Sequence, residues 1–235
     1  MDLLSKGRLF GSYSLVYGKT HKVLSSASEY LPRDFSALIK VLDKSAPSVE
    51  ASEILAEDFV INSFYKGLYQ KLAKPEFNTW RLAMKAAVIS KSINKWINHA
   101  HYKETFLAAL VRDLPIMVLR NEVPRDFKDF ELKMIEGKTV EEASMLTFGI
   151  NLEEYVKLFA KHFNYSFVEE KQEQVIDSAY QLAESFSNPD QKASSLWIES
   201  QAQMQKLGLE MTEDQWADRI SSLYVKVSDL DHKFK

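Results

Sequence analysis

The chain of 235 residues contains no cysteine. That excludes a disulfide framework, a thiolate zinc site, a redox dithiol and a cysteine nucleophile. At 27.1 kDa a globule buries enough of its surface to fold without such staples. Turn-formers are scarce too. The 7 glycines and 6 prolines fall below half the average share, which is about 12%. A many-stranded sandwich or barrel needs more of them, so helix is the default. No charge of one sign dominates: 30 Lys and Arg face 33 Asp and Glu, for a formal net charge of −3. A general nucleic-acid binder carries a basic stripe instead, and no nucleic-acid partner is expected. No stretch offers the roughly 20 nearly uncharged apolar residues that a bilayer span needs. Leu9–Gly18 is uncharged and follows Lys6 and Arg8, but its Gly11-Ser12-Tyr13-Ser14 centre is too polar for a signal-peptide core. A cytoplasmic location without a membrane partner is expected.

Helix signals fill the chain. Leu31-Pro32-Arg33-Asp34 reads as a helix start with proline in the first turn, and Phe35, Leu38, Ile39 and Leu42 follow at helical spacing. Ala46-Pro47-Ser48 breaks the chain, and Val49 to Ala56 reads as a short second helix. Asp58 is placed to cap a third, running to Lys74-Pro75. A long helix is expected from about Phe77 to Trp96, then a turn at Asn98-His99-Ala100-His101. His101 to Leu110 follows as an almost wholly apolar helix, so Phe106, Leu107, Leu110 and Val111 should be buried. Capping-box spacing recurs at Thr139/Glu142, Asn151/Glu154, Ser166/Glu169 and Thr212/Gln215. Gly149 and Gly208 stand where left-handed caps would close helices, and Asn188-Pro189 opens another. The expected fold is all-α.

Most chemistry-bearing residues have structural explanations. Gly18-Lys19-Thr20 resembles the end of a phosphate-binding loop, but the loop's first glycine is replaced by Tyr13 and no strand leads in, so an N-terminal turn is expected. His99 and His101 lack further ligands at a recognisable spacing, and His21, His162 and His232 stand alone. Glu141-Glu142, Glu153-Glu154 and Glu169-Glu170 sit in first turns, where negative charge offsets the helix dipole. Trp197 and Trp216 are candidate interface anchors, though helix–helix packing is the better explanation of both.

One ordered set of segments points to a family. These are Leu31-Pro32, Ile54-Leu55-Ala56-Glu57-Asp58 with Ile61 and Asn62, Trp80-Arg81-Leu82-Ala83 through Ile89, Thr105 through Arg112-Asp113-Leu114-Pro115, and Phe148-Gly149-Ile150-Asn151-Leu152. Leu207-Gly208-Leu209 with Thr212-Glu213-Asp214 closes the series. In order and spacing the chain resembles the HDOD family, helical bacterial signalling domains related to the HD metal-dependent phosphohydrolases. The resemblance covers about Leu31 to Leu230. It implies a helical extension at 1–30 and an HDOD-like domain at 31–232, with a smaller half at 31–74 and a degenerate HD-like core with C-terminal helices at 77–232.

The departures matter as much. Where HD enzymes place metal ligands, the resemblance puts Leu82, Arg112, Asp113 and Leu152. Leucine donates nothing, a guanidinium repels a cation, and one carboxylate does not make a catalytic metal site. Asp113 is read as half of an ion pair or a helix-end contact. The expected function is a non-catalytic signal-transduction domain that binds another signalling protein, with no metal or cofactor; a homo-oligomer fits as well. Two alternatives stand beside it. A divergent phosphohydrolase would bring His99, His101 or His162 together with carboxylates, and a nucleotide-binding sensor would line a basic pocket with Arg112 and Lys85 or Lys91.

Overall fold

The computed structural model describes residues 19–44, 50–97, 101–166, 170–187, 201–202 and 204–234, and among them every regular element is a helix. Helix α1 covers residues 19–27. It is followed by α2 (Phe35–Lys44), α3 (Glu50–Lys71), α4 (Lys74–Trp96), α5 (Tyr102–Val111) and α6 (Leu114–Glu122). Then come α7 (Pro124–Ile135), α8 (Val140–Phe148), α9 (Leu152–His162), α10 (Glu170–Ser187) and α11 (Glu213–Lys233). The all-α class is as the composition requires.

Helix α4 is the axis of the molecule because it is apolar on two sides. Trp80, Met84, Ala87 and Val88 recur at helical spacing and join one core cluster, while Ala86, Ile89 and Ile93 join another. Alanines at 83, 86 and 87 let the alanine-bearing faces of α5 (Ala108, Ala109) and α10 (Ala179, Ala183) come close, and these are its principal partners. The first cluster gathers Phe35, Phe64, Phe106, Phe159 and Phe163 with residues from Val23 to Phe234. The second gathers Val175, Leu182, Trp216 and Leu223. Phe106, Leu107, Leu110 and Val111 are buried as expected. Each such side chain contributes about 1.5–3 kcal/mol of apolar burial.

Local caps account for several ends. Thr139 and Glu142 form a reciprocal capping box on α8, and Thr212 and Gln215 form one on α11. Gly149 closes α8 at φ 72°, and Gly208 also has positive φ. Asn151 caps α9 through the Glu153 N–H at 2.9 Å, so the expected box with Glu154 is replaced by a single bond. Glu169, Asn188 and Pro189 lie outside the described residues.

Four boundaries differ from the sequence reading. Asp58 does not start a helix; α3 is continuous. No glycine or proline interrupts residues 56–58, and the Asp58 carboxylate goes to Lys233 Nζ at 2.8 Å instead of to its own backbone. Pro32 lies ahead of α2, because Asp34 accepts from the Ser36 N–H at 2.9 Å and the Phe35 N–H is taken by the Phe163 carbonyl. The break expected at Lys74-Pro75 falls at Leu72-Ala73, and Pro75 sits in the first turn of α4, where its missing N–H costs nothing. Lys19 and Thr20 belong to α1 instead of a turn; Lys19 faces Asp126 at 3.9 Å.

Candidate functional site

The four positions inherited from the HD comparison are placed at three separate points. Leu82, midway along α4, packs against the second core cluster and borders a shallow cavity with Arg81, Lys85 and Asp231. Leu152 opens α9, packs on the first cluster and donates its N–H to Ser144 Oγ at 3.3 Å. Arg112 and Asp113 form the two-residue joint between α5 and α6. Among the described residues, Leu82 and Arg112 border different cavities. Among the described residues there is no grouping of three or more His, Cys, Asp or Glu able to hold a metal.

At the joint, it is Arg112 that makes an ion pair, with α10. Arg112 Nη1 binds Asp177 Oδ1 at 2.6 Å, and its guanidinium lies over the Tyr180 ring, 5.0 Å from the centroid. The Tyr180 hydroxyl donates to the Ala109 carbonyl at 3.0 Å. Burial and the neighbouring Asp113 charge push its ionisation up. Asp113 holds the N-cap position of α6, but its side chain makes no capping hydrogen bond. The arrangement ties the end of α5 to α10.

His101 and His162 are not brought together, although His162 lies near His21. His99 lies outside the described residues. His101 Nδ1 faces Glu104 at 3.5 Å. His162 Nε2 shares a hydrogen bond with Ser28 Oγ at 2.8 Å, and burial, with the charge of His21, holds its pKa down. Lys85, Lys91 and Arg112 are not brought together either. Lys85 binds Asp231 at 2.8 Å and Ser187 at 3.1 Å beside Leu82. Lys91 points into a different cavity, and Arg112 borders a third.

The Lys91 cavity, about 420 Å³ between α3, α4 and α11, was not anticipated. Its floor is an ion-pair network: Lys91 binds Glu57, and Glu53 at 3.2 Å, Lys95 binds Glu53, and the Tyr102 hydroxyl donates to Glu53 at 3.2 Å. Burial pushes the Glu53 carboxyl up, but the hydrogen bond from Lys95 and the charges of Lys91 and Lys95 outweigh it and leave its pKa low. Burial also pushes the Lys91 ammonium down to about 8, against the opposing charge of Glu53. Four lysines and four carboxylates line this cleft, so it offers no excess charge to a nucleotide phosphate. Glu53/Glu57 and Lys91/Lys95 are both four apart, the spacing of one helix face; that was the available signal.

The surface feature that stands out is the α7–α8 hairpin. Phe127 and Phe130 turn inward and meet Phe148, with ring centroids 5.5 to 6.2 Å apart. Leu132, Ile135, Val140, Met145 and Leu146 on the two helices are exposed, Ile135 at 82% and Leu146 at 63%. The turn between the helices is fixed by Gly137 at φ 87° and by the Thr139 capping box. Trp216 is not an anchor of this kind: it is buried edge-on to Trp96, 6.1 Å between centroids. Trp197 lies outside the described residues.

No protein-family model matches the chain, and neither a curated protein nor a solved structure matches it. No helix among the described residues is long and apolar enough to cross a membrane.

Proposed function

We propose that the chain is a non-catalytic, HDOD-like signalling domain that acts by binding another protein. The chemistry at the four HD positions carries the reading. Leu82 and Leu152 have no lone pair to offer and are held in apolar packing. Arg112 brings a permanent positive charge already paired with Asp177. Asp113 is then a single carboxylate, which leaves any bound ion mostly hydrated. A frame of helices tied at such joints suits a scaffold.

The binding face in this account is the apolar side of α7 and α8. Five large apolar side chains are exposed on this one short hairpin, and clustered apolar exposure marks interaction sites. A photo-crosslinking residue at Ile135, in the cell of origin, tests the proposal against the same residue at exposed Asp214. A discrete adduct at Ile135 that disappears with Leu146→Asp supports the reading, and an adduct of twice the chain mass would make a second copy the partner. The same adducts from both positions, or none sensitive to Leu146→Asp, would refute it.

A further inference from the structure

We infer that the cavity beside Arg112 is a binding site for a free α-amino acid with an apolar side chain. The cavity measures about 190 Å³ and lies where α5, α9 and α10 meet. Val111, Phe159, Ala160 and Ile176 wall it, all of them core residues. Its volume equals the liquid share of roughly six water molecules. That is room for one branched aliphatic side chain and too little for a nucleotide base with its sugar.

The polar groups are confined to the mouth, and they are of opposite sign. Arg112 spends Nη1 on Asp177. A guanidinium has five N–H donors in a fixed fork, so others remain for a carboxylate. Glu173 lies one helical turn before Asp177 on α10, is exposed, and makes no ion pair among the described residues. It is an acceptor available to an ammonium group. An apolar hole with a guanidinium and a free carboxylate at its rim matches the three parts of a zwitterionic amino acid such as leucine. Tyr165 closes the same rim, its phenol ionisation raised by burial and by the Glu173 charge. An apolar anion would gain from Arg112 but be repelled by Glu173, and an apolar amine would meet the reverse. Only a ligand carrying both charges uses the whole mouth.

The site stands on this cavity alone and holds whether or not α7 and α8 bind a protein. The test is calorimetric titration of the full chain with free leucine, isocaproate, isopentylamine and glycine, together with methyl NMR of Ile176. Leucine should bind saturably and shift the Ile176 methyl, with each of the other three weaker by about tenfold or more, a difference of about 1.4 kcal/mol. Glu173→Gln, an exposed and conservative change, should erase the preference for leucine over isocaproate while leaving the fold intact. Arg112→Met should erase the preference over isopentylamine. No saturable binding of leucine, isoleucine, valine, methionine or phenylalanine overturns the inference. So does binding that leaves Ile176 unshifted, or leucine binding no better than isopentylamine.

Discussion

Gly67, in the interior of α3, lies directly beneath the backbone of Tyr30. A Cβ on Gly67 would collide with the Tyr30 carbonyl oxygen and sit 2.9 Å from its carbonyl carbon. In an open helix the change from glycine to alanine gains about 1 kcal/mol. Here the clash is with backbone, which cannot swing aside as a flexible side chain would. Gly67→Ala is therefore expected to destabilise the protein by about 1–3 kcal/mol. A midpoint in urea that rises instead would show that the segment before α2 yields easily.

Leu107 and Leu110 are wholly buried between α4 and the first core cluster. Replacing either by alanine leaves a cavity that tight neighbours only partly fill, at a cost of about 2–5 kcal/mol. Chemical denaturation checks this. A loss well under 1 kcal/mol at both sites would put α5 outside the cooperative core.

The part of the fold visible in the sequence is the part decided within a few residues. Thr139 with Glu142 and Thr212 with Gln215 needed only their own spacing, and both boxes form. The apolar run Phe106–Val111 could go nowhere but inside. Asp58 was misleading because its partner, Lys233, is 175 residues away; a local cap and a distant ion pair look the same in a string of letters. Lys85 and Lys91, alternatives beside Arg112, could not have served one pocket together. Six residues apart at 3.6 per turn, they project about 120° from each other and reach different cavities. The exposed face of α7 and α8 was not legible, since Leu132 and Ile135 share the helical spacing of core positions.

The two capping boxes should carry measurable stability. Thr139→Ala and Thr212→Ala each remove the acceptor for a first-turn N–H, at a cost of about 1 kcal/mol. The Ser versions should recover most of the loss. If alanine and serine behave alike in thermal denaturation, the hydroxyl bonds contribute nothing.

Lys91 gives stability a slope in alkaline solution. Its folded pKa, about 8, lies below the ordinary 10.5, so over that interval the unfolded chain holds a proton the folded chain has released. Stability from this group therefore rises with pH from about 8 upward. Above about 10 the opposite contribution sets in, because buried Tyr30, Tyr155 and Tyr180 have raised ionisation and keep protons that the unfolded chain loses. Between about pH 7.5 and about pH 9.5, Lys91→Met should lower the gain in unfolding free energy by about 1–2 kcal/mol relative to wild type. Equal gains in the two proteins would place the Lys91 ammonium in solvent.

The most direct test of a non-catalytic domain is metal content. Full-length protein purified without chelator from the cell of origin should contain iron, manganese and zinc far below one ion per chain. Arg112→His alone should not raise that content, because Leu82 and Leu152 remain apolar. Stoichiometric metal in the wild-type protein, lost on Asp113→Ala, would contradict the account at its centre.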